Sequence, residues 1–165
     1  FMTTNRIVKT AIVASIYAAL TIGLSPLSYG PVQFRLSEVL VLLAIVNSDY
    51  IIGLTIGCLI ANLLGPYGLA DIICGTFATF ISVYLIYITP KFVKGKYAIW
   101  VASLWPVIVN AVIIGLMLNV FFKSPLIISM LQVGIGEFGV VTIIGVPLFK
   151  FAASKYPTIL NIKEA

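Results

Sequence analysis

The stretch LADIICGTFATFISVYLIYIT, Leu69–Thr89, decides the fold class. It carries one charge, Asp71, in a run long enough to cross, as a helix, the roughly 30 Å hydrocarbon core of a bilayer, which takes about 20 residues. Similar runs recur along all 165 residues, and the composition matches them: 61% hydrophobic, 9% charged, mean hydropathy +1.17. That balance belongs to an integral membrane protein. Membrane barrels read as short alternating segments, so these runs predict an all-α membrane protein. The length suits a single domain, residues 2–165. Phe1 precedes the apparent start methionine and reads as an expression leftover. The first apolar run reads as a retained span rather than a cleaved signal.

Six transmembrane helices follow from the apolar runs and the turn signals between them. They cover about Arg6–Leu24, Arg35–Val46, Tyr50–Leu64, Leu69–Thr89, Tyr97–Phe121 and Ser124–Lys155. The loop Ser25–Phe34 is rich in Pro, Gly and Tyr, and NSDY, GPYG and the basic PKFVKGK make later turns. Spans two and three are short, which implies tilt, partial burial or a re-entrant neighbour. Basic residues stay on the cytoplasmic side of short loops. With both termini cytoplasmic, Arg6, Lys9, Lys91, Lys94, Lys96, Lys150, Lys155 and Lys163 lie inside, and only Arg35 and Lys123 outside. The net charge of +5 then meets anionic membrane lipid and needs no nucleic acid to explain it.

That orientation sorts the acids by depth. Asp49 falls in an inner turn and Glu164 in the tail, both as solvated charge. Glu38, Asp71 and Glu137 fall instead at the outer end of span two, the outer end of span four and near the middle of span six. An ionised carboxylate within a span costs roughly 2.5–3.5 kcal/mol, so such groups face a bundle interior or a water-filled cavity. Three from three spans point to an outward-open polar pocket. Arg35, three residues before Glu38, shares its side of a helix, either as an interfacial salt bridge holding the loop or as part of the pocket.

Asn62, Gln132 and Asn110 add hydrogen-bonding groups, with bonds to neighbouring helices as the alternative. Gly134, Gly136 and Gly139 surround Glu137 in QVGIGEFG and permit irregular backbone or close approach by a ligand or helix. Gln132 and Glu137, five apart, diverge on an ideal helix, so their joint use requires distortion or a broad ligand. Tyr29, Phe34 and Tyr67 either stack on a planar ligand or form an interface belt, the role that also suits Trp100. One arginine against three carboxylates favours a cationic or donor-rich solute over phosphorylated compounds and carboxylates.

Span one carries Ala11, Ser15 and Ala19 at four-residue spacing, with Ala14 and Ala18 as a second series. Such a stripe packs closely on a partner helix or within the bundle, where span three offers Gly53, Gly57 and Ala61. Cys58 and Cys74 lie in apolar runs as small buried hydrophobes. A chain without histidine makes a metal site unexpected. There is no phosphate-loop motif and no nucleophile with a partnering histidine, so neither cofactor nor enzyme activity is expected, and active transport needs energy from elsewhere.

Three stretches, YGPVQFRLSEVL (29–40), IANLLGPYGLADIICGTFATF (60–80) and GIGEFG (134–139), together resemble the QueT family, the substrate-binding S-components of energy-coupling factor (ECF) transporters assigned to queuosine precursors. The likeness runs from span one to span six, with Asn62 to Asp71 its most specific part. It implies the six-helix S-component bundle, with ligand near the extracytoplasmic face under the loop joining spans one and two. By the same resemblance the stripe Ala11, Ala14, Ser15, Ala18 and Ala19 would dock on a transmembrane coupling subunit joined to two cytoplasmic ATPases. ATP would then drive the bundle to topple within the membrane.

The implied solute is a 7-deazaguanine such as 7-aminomethyl-7-deazaguanine, or queuine. A guanine-like edge offers an N–H and an amino group that one carboxylate accepts as a pair, and a protonated aminomethyl arm suits a second. Glu137 and Asp71 are expected in these roles, in an unassigned order. Gln132 and Asn62 would read the carbonyl and ring nitrogens, and Arg35 with Glu38 would fix the lid or touch the solute. Competing readings are an S-component for another vitamin, an autonomous channel or exporter that oligomerises through its small-residue stripes, and a structural subunit without a ligand.

Overall fold

A computed structural model describes residues 2–158, and among them the chain is helical with no strand. Phe1, Lys163 and Glu164 lie outside the described residues. The α-helices are α1 Thr4–Gly23, α2 Ser25–Ser28, α3 Asp49–Leu63, α4 Gly68–Phe92, α5 Ala98–Phe122, α6 Leu126–Glu137 and α7 Val146–Lys155. A 3-10 helix, Leu36–Ile45, stands between α2 and α3, and a short one, Gly95–Tyr97, precedes α5. A π-helix, Phe138–Gly145, joins α6 to α7. Four stretches are long and apolar enough to cross a membrane: α1, α4, Gly95–Phe122 and Leu126–Lys155; Leu36–Ile45 and α3 are apolar but shorter.

Polar and apolar side chains sort in the reverse of a soluble protein. Leu69, Ile73, Phe92, Ile127 and Ile135 are exposed, while Arg35, Glu38, Asn62, Asp71, Asn110 and Glu137 are buried. An apolar coat around a polar interior suits lipid as the solvent, because charged groups within a bilayer turn to the bundle interior. This is a multi-pass membrane protein.

Small residues set the helix spacing. A Cβ on Gly53 would stand 2.9 Å from the Thr10 carbonyl oxygen, and one on Gly57 would stand 2.8 Å from that of Ala14. A larger residue at either position would drive α3 away from α1. The two stripes thus partly consume each other: Ala14 and Ala18 are buried, whereas Ala11, Ser15 and Ala19 remain exposed. Only the latter series is open to a partner.

The 3-10 helix was not foreseen, since the apolar run predicts length but not pitch. Three residues per turn stack Glu38, Val41 and Ala44 on one line, and all three are buried. At about 2 Å per residue the segment reaches about 20 Å, and α1, α3, α4 and the π-helix wall it in. Gly145 lets it approach: a Cβ there would lie 3.2 Å from Leu42 Cδ1. The basic turn is shorter than its sequence suggests. α4 continues through Pro90, which lacks the N–H for one backbone bond, to Phe92. Thr89, one residue earlier, accepts from Trp105 Nε1 at 2.9 Å and fastens α4 to α5.

Two polar contacts mark the ends of the bundle. Arg6 Nε donates to Asp49 Oδ2 at 2.8 Å, tying the start of α1 to the start of α3. Asp49, expected as a solvated charge, is therefore an ion-pair partner, because the fold brings both helix starts to one end. About 20 Å away along α3, the end of that helix, the start of α4 and the loop after α2 gather around a second polar cluster.

Candidate functional site

The loop leading into the 3-10 helix is held down by tyrosines. The Tyr29 hydroxyl donates to the Ala61 carbonyl at 2.5 Å, and its ring presses on Gly65, where a Cβ would come within 2.8 Å of Cε1. The Tyr67 hydroxyl donates to the Tyr29 carbonyl at 2.8 Å, and the Tyr67 ring meets Phe122 edge-on with centroids 5.4 Å apart. Burial pushes both phenols above their ordinary range, partly opposed by the nearby Arg35 charge. Both therefore stay protonated donors at neutral pH.

Further on, the loop dips toward α6. Gln33 turns it with a left-handed φ of 49°. The Val32 carbonyl lies so close to Gly136 that no Cβ fits, and Phe34 Cε2 lies 3.3 Å from where a Gly139 Cβ would be. What the glycines around Glu137 receive is this loop. Gly134 takes no part, with Ala111 at an ordinary 3.5 Å.

Arg35 ends the loop in an extended conformation just outside the 3-10 helix. Its Nη2 donates to Asp71 Oδ2 at 3.1 Å, its Nε to the Ser28 carbonyl at 3.4 Å, and its guanidinium lies 5.3 Å from the Tyr29 ring centroid. Of the two readings of Arg35 and Glu38, a salt bridge between them or separate places in the pocket, the salt bridge does not form. Three-residue spacing aligns two side chains only when both are helical, and Arg35 is not. Glu38 instead accepts from the Tyr17 hydroxyl on α1, beside a Thr21–Ser37 hydroxyl bond of 2.6 Å.

Asp71 is bound on two sides. One carboxylate oxygen faces Arg35, and its backbone carbonyl accepts from Asn62 Nδ2 at 3.1 Å. The GPYG turn brings Asn62, in the last turn of α3, back onto the first turn of α4. Gly75 keeps the space open, since a Cβ there would stand 2.6 Å from Asp71 Oδ1 and 2.7 Å from Asn62 Nδ2.

Glu137 closes α6, roughly 16 Å along it from Leu126, and the π-helix begins at the next residue. Such wide turns are frequent at functional sites. Glu137 is 4% exposed. Gln132 is partly buried on regular α-helix, about 140° around α6 from Glu137, so the distortion falls after the pair and not between them.

Several buried polar atoms have no hydrogen-bond partner among the described residues. They are Glu38 Oε2, Glu137 Oε2, Asn62 Oδ1, Asp71 Oδ1, Gln33 Nε2 and Asn110 Nδ2, with the hydroxyls of Thr10, Ser28 and Thr76. Buried polar groups are nearly always paired, so a set drawn from several helices marks a place built for something else to pair with. The alternative for Asn110, a bond to a neighbouring helix, leaves its amide nitrogen unused. Tyr17 and Gln33 were not singled out by sequence reading. A tyrosine inside an apolar span does carry a signal, because its hydroxyl needs a partner; the backbone turn that buries Gln33 carries none. Trp100 is exposed, with Lys150 Nζ 4.9 Å from its ring centroid.

Comparison with known proteins adds a lineage to this geometry. The family described as QueT transporter matches residues 7–154, from the first turns of α1 to the last turn of α7. The chain belongs to the QueT transporter family. Within it, the Queuosine precursor transporter QueT of Lactococcus lactis subsp. cremoris (strain MG1363) is 48% identical over 84 residues, 50% of this chain and 49% of that protein. The match thus spans about half the length of the curated relative. No solved structure matches the chain. The QueT family is a class of transporters, not of enzymes.

Proposed function

We propose that the chain is the substrate-binding S-component of an ECF-type importer and that its solute is a queuosine precursor of the 7-deazaguanine class. The observation that carries this reading is the set of unpartnered buried polar atoms drawn from the 3-10 helix, α3, α4, α5, the end of α6 and the loop that Tyr29, Tyr67 and Arg35 hold down. A guanine-like ligand has an N–H and amino edge for carboxylates and an acceptor edge for amide nitrogens. Asn62 Oδ1 and the free Asp71 Oδ1 serve the first, which leaves Glu137 and Glu38 for a substituent beyond the ring. The amide nitrogens of Gln33 and Asn110 serve the second, with Gln132, Phe34 and Tyr67 completing the wall.

On this reading α1, the 3-10 helix, α3, α4, α5 and the α6–α7 rod make six spans with both termini cytoplasmic. The ligand cluster then faces outward and the lysines meet anionic lipid. The exposed series Ala11, Ser15 and Ala19 packs on the transmembrane coupling subunit, which two cytoplasmic ATPases drive; Ala14 and Ala18 support it from within the bundle.

Isothermal titration of the purified protein with 7-aminomethyl-7-deazaguanine and queuine, against thiamin and riboflavin, tests the substrate class. Saturable binding of a deazaguanine that the vitamins do not displace is expected. Tighter binding of thiamin or riboflavin, or uptake by the chain alone in liposomes lacking ATPases, would overturn the assignment.

A further inference from the structure

We propose that Glu38 and Glu137 together form a seat for a protonated amine, so that the site takes amine-bearing 7-deazaguanines in preference to neutral ones. The inference rests on the binding function proposed above and narrows its ligand. It begins with a count of charge. Three carboxylates are buried in the cluster, at 2% exposure for Glu38, 0% for Asp71 and 4% for Glu137. Arg35 is the one buried cation among the described residues, and it is engaged by Asp71. Arg6 is half exposed and paired with Asp49 at the other end of α3, and Lys9, Lys91, Lys94, Lys96, Lys123 and Lys155 are all exposed. Lys150, also exposed, lies over Trp100.

Glu38 and Glu137 are therefore left without a cation of their own. Glu38 has one neutral donor, the Tyr17 hydroxyl, and its Oε2 has none; Glu137 Oε2 has none either. The 3-10 helix that carries Glu38 packs against the π-helix that begins at the residue after Glu137. Two like charges buried together are costly unless a positive group with hydrogen-bond donors joins them. A primary ammonium supplies one charge and three donors on a compact head, enough to satisfy both free oxygens. A neutral donor edge supplies bonds but leaves the repulsion in place. The sequence-level expectation gave Glu137 and Asp71 one role each, the guanine edge or the arm, in an unassigned order; with one Asp71 oxygen held by Arg35, Glu38 is the carboxylate that joins Glu137 at the arm.

The test is titration of the purified full chain with 7-aminomethyl-7-deazaguanine and with its neutral counterpart bearing a hydroxymethyl group. The amine is expected to bind at least ~10-fold tighter. In Glu38→Gln and Glu137→Gln that ratio should fall below ~3-fold, chiefly through weaker binding of the amine, while a cooperative thermal unfolding transition and a monodisperse gel-filtration peak report that the variants are folded. Equal affinity of the wild-type protein for both compounds overturns the seat and leaves the binding function standing; this comparison needs no variant to fold. An unchanged ratio in both variants also overturns it. If neither compound binds the folded wild-type protein, the function fails and the seat fails with it.

Discussion

Asp71→Asn removes the charge that holds Arg35 while keeping the side chain's size. In the native protein the two groups meet at 3.1 Å with only 6% and 1% of their side chains exposed, so water cannot replace the lost partner. Removing one member of a buried ion pair costs about 3–5 kcal/mol. Two features favour the lower end. The pair makes one N–H···O bond and not a fork, and Arg35 keeps the Ser28 carbonyl at 3.4 Å and the Tyr29 ring at 5.3 Å. That ring contact is worth about 0.5–2 kcal/mol. A loss of about 3 kcal/mol corresponds to a Tm lower by about 6–12 °C for a chain of this size.

Thermal unfolding in detergent, followed by the fluorescence of Trp100 and Trp105 at one fixed scan rate, gives the measurement. Arg35→Met should destabilise similarly, because it strands the Asp71 carboxylate. The double variant Arg35→Met/Asp71→Leu should recover most of the loss, since apolar groups of similar volume can replace a buried pair at little cost. Singles within about 2 °C of wild type, or a double whose loss equals the sum of the singles, would refute the coupling.

Tyr17→Phe strips Glu38 of its donor without changing packing volume and should cost about 1–3 kcal/mol of stability, read as a lower Tm; an unchanged Tm would mean that the hydroxyl bond is not made. Gly136→Ala sets a methyl group against the Val32 carbonyl, a backbone atom with no rotamer to escape into, so hydrogen exchange across residues 29–35 should quicken and ligand leave ~10-fold faster; native exchange rates there would contradict the packing. Ser15→Trp projects from the exposed face of α1 and, if that face docks on the proposed coupling subunit, should abolish co-purification with it while binding of the proposed deazaguanine persists, whereas loss of both would place Ser15 in the fold itself. In a protein with Cys58 and Cys74 replaced by serine, Lys94→Cys and Lys123→Cys should be labelled from opposite sides of the membrane, and labelling of both from one side would reject the six-span orientation.

Residue chemistry along the chain was enough to establish the all-helical membrane character. Run length and turn residues are local quantities, so Leu69–Thr89 was readable as a span and the structure only lengthens it to Gly68–Phe92. The polar candidates were legible for a related reason. A carboxylate or amide inside an apolar run is costly wherever it turns, which singled out Glu38, Asp71, Glu137, Asn62 and Asn110 before any contact was known.

Which of them meet was not local. Arg35 and Glu38 stand three apart in sequence, yet an extended residue at 35 and a 3-10 turn after it send the guanidinium to Asp71 and leave Glu38 to Tyr17. The glycines around Glu137 promised close approach without naming the visitor, which is the loop carrying Val32 and Phe34. Apolar content and the cost of buried charge act residue by residue and can be summed along a string. Pairing depends on where separate helices place their ends, so only the packing of α1, α3, α4 and α6 around the 3-10 helix decided which charges are matched and which stay open to a ligand.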